Sequence, residues 1–145
     1  MKKTENKIQY EIVTWFSQKY PQYRGLLFEI NNDTYSRNHA MRRRAMGMIS
    51  GVSDLIFIVP GSGKIAGIEI KAEGSNHKKD HIKNQLEWGR IIMQAGGFYI
   101  MSSHTTVIKT FINFLIQDMN YEAKEMQGTL LKSINFKLDK SIVKF

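Results

Sequence analysis

Cysteine is absent from these 145 residues, which excludes disulfides and thiolate metal sites alike. Long apolar runs are missing too. None approaches the roughly 20 residues of a membrane-spanning helix, and no signal-peptide pattern precedes the first helical stretch, so no membrane association and a cytoplasmic location are expected. There is no Gly-x-x-x-x-Gly-Lys-Ser/Thr loop and no Gly-x-Gly-x-x-Gly fingerprint; Gly61-Ser62-Gly63-Lys64 lies between two strand-like runs and reads as a turn. The four histidines at 39, 77, 81 and 104 include a pair at helical spacing, His77 and His81, but the nearest acid, Asp80, is off their face, so no zinc site is expected. No repeat, low-complexity tract or linker divides the chain. With 42% hydrophobic residues, positions 1–145 are expected to form one domain that buries about two thirds of its unfolded surface. Acids are scarce, 13 against 21 Lys and Arg, and the resulting net charge of +8 points to a polyanionic partner. Lysine is missing from the interval 24–44, which holds five of the six arginines. Arginine suits bidentate contact with phosphate.

Against this background, residues 51–71 carry charges where a folding sequence does not need them. Gly51-Val52-Ser53-Asp54 leads into Leu55-Ile56-Phe57-Ile58-Val59, a Pro60-Gly61-Ser62-Gly63 turn follows, and Lys64-Ile65-Ala66-Gly67-Ile68-Glu69-Ile70-Lys71 returns. If the turn closes a pair between Val59 and Lys64, the register sets Asp54 opposite Glu69 and puts Lys71 on the face of Glu69. Two carboxylates about 5 Å apart at an effective dielectric near 20 repel by roughly 3 kcal/mol, and burial adds a desolvation cost. A divalent cation reverses the sign of that energy. Oxygen donors suit a hard ion such as Mg²⁺, with Mn²⁺ as a substitute. The alternative is a partly exposed hairpin with a surface ion pair between Lys71 and one acid. The order Asp, about fifteen residues, Glu-x-Lys, with isoleucine on both sides of Glu69, favours the site.

The remaining elements follow from periodicity. Ile8, Ile12, Trp15 and Phe16 predict an amphipathic helix over 5–19 that stops before Pro21. Glu5 projects within about 40° of the middle of its apolar face, and Glu11 lies farther round. A strand is expected over 26–31. The polar segment 31–44, with Arg37, Arg42, Arg43 and Arg44, reads as a long loop with a short helical turn, either gripping phosphates or forming a solvated charge run. A helix over 80–94 is expected to turn Ile82, Gln85, Leu86, Gly89 and Ile92 or Met93 inward, where the Gln85 amide needs polar partners. Gly96-Gly97 ends it, 98–101 forms a strand, and a last helix carries Val107, Ile108, Phe111, Ile112 and Leu115 on one side. Residues 129–138 partly alternate and predict an edge strand. The expected architecture is α/β, a mixed central sheet flanked by helices.

Asp54 and Glu69-Ile70-Lys71 resemble the PD-(D/E)XK nuclease superfamily, whose fold is restriction-endonuclease-like. Gly-x-x-Asp, Ile-Glu-Ile-Lys, a polar loop, Gln85 on a helix and the strand after Ala95-Gly96-Gly97 sharpen the likeness to the virus-type replication-repair nuclease (VRR-NUC) domain. The resemblance covers roughly residues 5–118 and leaves 119–145 unassigned; Ser53 departs from the proline often found before the Asp. It implies a Mg²⁺-dependent DNA endonuclease with Asp54, Glu69, Lys71 and Gln85 as catalytic residues. Asp54, Glu69, the Ile70 carbonyl and Glu5 would hold metal, with Glu11 as the second choice for the helix carboxylate. It also implies a free-standing phage-type copy in the host cytoplasm, acting as a homodimer on branched DNA such as four-way junctions. Phe111, Phe114, Leu115 and the segment 130–145 would then form the dimer contact, or that segment covers a sheet edge. Two other readings stand beside it: a binding module that keeps the fold without cutting, and a structural protein whose basic surface meets an acidic partner.

Overall fold

Thr4 opens the first helix, its Oγ1 accepting the Lys7 N–H at 3.3 Å, and α1 (Glu5–Lys19) runs until a 3-10 turn at Pro21–Tyr23 stops it. The computed structural model describes residues 2–74 and 79–117. After α1 come β1 (Leu27–Glu29), α2 (Arg37–Ala45), β2 (Leu55–Ile58), β3 (Ile65–Ile70), α3 (Lys79–Gln94), β4 (Phe98–Ser102) and α4 (Thr105–Gln117). The strands form one sheet in the order β1-β2-β3-β4, antiparallel except for the parallel pair β3 and β4. This is a mixed α/β architecture. Among the described residues no helix is long and apolar enough to cross a membrane.

The hairpin closes as its turn residues require. Val59 N–H donates to the Lys64 carbonyl at 2.8 Å, and Gly61 and Gly63 take φ of 83° and 69°, where a side chain would be strained. Leu55 then faces Ile68 across the ladder. Period-two alternation splits the sheet into unlike faces. Leu55, Phe57, Ala66, Ile68, Ile70, Phe98 and Ile100 pack against Ile8, Ile12 and Phe16 of α1 and Ile108, Phe111 and Ile112 of α4. Each large apolar side chain fully buried here contributes roughly 1.5–3 kcal/mol. The opposite face carries Gly67 and Tyr99 beneath α3. A Cβ on Gly67 would lie 2.5 Å from the Trp88 ring, and one on Gly89 would lie 2.5 Å from the Tyr99 ring. Each glycine admits one aromatic ring.

Two expectations need correction. Residues 37–45 form a nine-residue helix rather than a loop with a single turn. Ser36 Oγ caps it by accepting the His39 N–H at 3.1 Å, and because α2 buries no residue it has no apolar period to read. On α3, Leu86 is 38% exposed instead of inward, and of the pair Ile92 and Met93 it is Ile92 that is half-buried, Met93 being 37% exposed. Trp88 takes that face, since Gly67 leaves room for its ring. The segment between β1 and β2 leaves and rejoins the sheet at one rung, where Ile30 N–H donates to the Asp54 carbonyl at 3.0 Å. The edge strand expected over 129–138 lies outside the described residues.

Candidate active site

Asp54 ends the loop before β2, and its Oδ2 accepts the Ile70 N–H at 2.8 Å. That bond ties the acid to the end of β3 beside Glu69. Glu69 is 1% exposed and Lys71 4% exposed, on the sheet face beneath α3. Glu69 Oε1 accepts from Lys71 Nζ at 2.7 Å and from Gln85 Nε2 at 2.5 Å. Its Oε2 is buried and has no hydrogen-bond partner, and the same holds for Gln85 Oε1. Glu5, in the first turn of α1, reaches the same end of β3, where its Oε1 accepts the Ala72 N–H at 3.3 Å. The structure thus brings Asp54, Glu69, Lys71, Gln85 and Glu5 to one place. Glu11 is elsewhere, paired with Lys3 at 2.7 Å, which holds its carboxyl below the usual range.

The electrostatics follow from this geometry. Burial first, and then the charge of Asp54, push the Glu69 carboxyl up to about 7, with the Lys71 ammonium opposing. Asp54 is raised as well, chiefly by burial, while the Ile70 N–H and Lys71 pull it down and Glu5 pushes it up. Both acids therefore lose by being charged in the absence of a further cation. Among the described residues no three His, Cys, Asp or Glu side chains gather into a ready-made metal cage. Two carboxylates, a strand-end carbonyl at Ile70 and an unpartnered Glu69 Oε2 nevertheless suit a hard ion that keeps most of its waters, the habit of Mg²⁺. The ion would supply the charge that the acids lack.

A cleft of about 660 Å³ opens in front of Asp54 and Gln85, lined also by Gln9, Glu29, Arg44 and His81. Of the four arginines singled out in the sequence, only Arg44 lines it. Arg37, Arg42 and Arg43 are exposed on α2, and Arg43 borders a neighbouring hollow of about 300 Å³. Several cleft or site residues escape sequence reasoning. Glu29 accepts from Gln9 Nε2 at 3.0 Å; its signal was a lone acid in the apolar run 26–30. His81 shares the face of Gln85 at helical spacing. Behind the acids lie Ser53, fully buried, and Tyr99, and neither hydroxyl has a hydrogen-bond partner. Burial and the nearby charges of Glu69 and Asp54 push the Tyr99 phenol far up. Nothing in the sequence around Tyr99 marks it apart from an ordinary strand aromatic.

A mixed sheet flanked by helices makes this an α/β architecture, with an acid, Glu-x-Lys and a helical glutamine converging at the end of β3. Among solved structures the chain is similar to one described as a VRR_NUC domain protein. That match has probability 1.00, TM-score 0.61 and 18% identity over 79% of this chain and 89% of the other. At that identity the likeness is one of fold, and the fold is VRR-NUC-like. No family model matches the sequence, and no curated protein matches it.

Proposed function

We propose that the chain is a Mg²⁺-dependent DNA endonuclease of the PD-(D/E)XK type that hydrolyses phosphodiester bonds. The observation that carries this reading is Glu69, buried against Lys71 and Gln85 beside Asp54, with one oxygen left unsatisfied. A pure scaffold gains nothing from that repulsion. Asp54, Glu69, the Ile70 carbonyl and Glu5 would hold Mg²⁺, which when bound polarises the scissile phosphate and lowers the pKa of water. Lys71 Nζ, fixed by Glu69, stabilises negative charge developing on the phosphate. Gln85 holds Glu69 Oε1 through its amide nitrogen, so its oxygen remains to orient an incoming water. Arg44 at the cleft, with Arg37, Arg42 and Arg43 on α2, grips the flanking phosphodiesters.

The resemblance to free-standing VRR-NUC domains supports a homodimer acting on branched DNA in the host cytoplasm. Each chain supplies one Asp54, Glu69 and Lys71 set, and two symmetric nicks in a four-way junction need two such sets. The test incubates purified protein with four-way junction, single-stranded and duplex DNA in Mg²⁺, Mn²⁺ or EDTA. Cleavage in either metal and none in EDTA is expected, lost in Asp54→Asn, with the junction cut faster than duplex. Binding without cleavage in any metal would assign the chain to non-cutting modules instead.

A further inference from the structure

Tyr35 is 85% exposed, the most exposed large hydrophobic side chain among the described residues. Its ring lies face to face with the His39 imidazole, centroids 3.9 Å apart and planes 14° apart. The stack is held by the start of α2, because Ser36, immediately after Tyr35, caps the helix through the His39 N–H. One face of the phenol is thus backed and the ring is mostly open to solvent. Helix α2, which starts beside it, carries Arg37 in its first turn and Arg42, Arg43 and Arg44 in its last, all exposed, and no acid. Residues 31–34, just before Tyr35, line the cleft in front of Asp54, as does Arg44 near the other end of the helix. The platform therefore stands on the cleft rim.

We propose that Tyr35, backed by His39, is a stacking platform for an unpaired nucleobase of the DNA held by the α2 arginines. The inference rests on the nuclease reading for its substrate class and adds the feature recognised. A paired duplex offers this surface only phosphates and sugars, since its base faces are already stacked on one another. An unpaired base has a free π-face, and base-on-aromatic stacking is tolerant of sequence. The positive charge of α2 complements the phosphates on either side of that base. A base seated on Tyr35 would fix which phosphate reaches Asp54 and Glu69.

The experiment compares a duplex carrying a single unpaired 2-aminopurine with the fully paired duplex of otherwise identical sequence, in EDTA so that nothing is cut. Affinity and quenching of the fluorescent base are both recorded. The wild-type chain is expected to bind the unpaired substrate more tightly and to quench its fluorescence. Tyr35→Ala should lose roughly 5- to 150-fold in affinity for it, erasing the preference and the quenching, while Tyr35→Phe keeps both. Preference and quenching that survive in Tyr35→Ala overturn the inference and leave the nuclease reading standing. So does a chain that cleaves DNA in Mg²⁺ yet shows no preference. A chain that neither binds nor cuts any DNA overturns both. Self-association that Tyr35→Ala abolishes, with no quenching in the wild type, would assign the ring to a contact between copies and overturn the inference.

Discussion

Glu69 is the residue on which the site turns, and its protonation links chemistry to stability. Its folded pKa of about 7 lies above the ordinary value of 4.5, so the folded chain holds this proton more tightly than the unfolded one. The stabilisation is complete below the unfolded value and is lost as pH rises through the folded one. Without metal, stability should therefore fall by on the order of 3 kcal/mol between about pH 4.5 and 7, with Asp54 acting in the same direction. Urea unfolding in EDTA at pH 5 and pH 8 measures this. Glu69→Gln should flatten the dependence and abolish cleavage, because the amide keeps a hydrogen-bonding oxygen for Lys71 without the charge. Glu69→Ala is different. It removes the hydrogen-bonded partner of the buried Lys71 ammonium and leaves Asp54 as the nearby counter-charge, and should cost on the order of 3 kcal/mol.

At the scale of elements, α3 owes its seat to two small residues facing two large ones. Gly67→Ala would drive a methyl to 2.5 Å from the Trp88 ring, so a loss of about 1–3 kcal/mol is expected by thermal or urea unfolding. Gln85 sits one turn from Trp88, so cleavage should fall even at temperatures where the variant is fully folded. Helix α2 makes the opposite case, since none of its residues is fully buried. Replacing Arg42, Arg43 and Arg44 by Ala should leave stability unchanged. DNA affinity should weaken, with the log–log salt slope reduced by about 0.9 for each phosphate that is no longer neutralised; an unchanged slope would make the three a solvated face. This contrast also explains what the sequence disclosed. Ile8, Ile12 and Phe16, Asp54 facing the end of β3, and the Glu69, Lys71 and Gln85 cluster were legible because burial imposes a period or a register. Helix α2 was not, since a helix without a buried face has no period. Trp88 rather than Leu86 takes the inward face because the deciding residue, Gly67, is distant in sequence and adjacent only in the fold.

Across the whole molecule, chemistry and adhesion are housed separately. Among the described residues, the apolar face of the sheet, with α1 and α4, supplies the core; the face beneath α3 holds the acids; and the arginines proposed to meet DNA are concentrated in the stretch between β1 and β2. That stretch departs and returns at a single rung, Ile30 to Asp54, so its two ends are fixed as neighbours by the sheet itself. The closure entropy of such an excursion grows only by about 0.6 kcal/mol for each doubling of its length. Residues 34–47 should therefore behave as an interchangeable cassette. Exchanging them for a short Gly/Ser turn should leave the free energy of urea unfolding within about 1 kcal/mol of the parent and keep Mn²⁺ binding measurable by calorimetry, while DNA affinity collapses. A chain built this way can acquire a new nucleic-acid preference by swapping one surface insert, without re-solving the problem of folding around two buried acids.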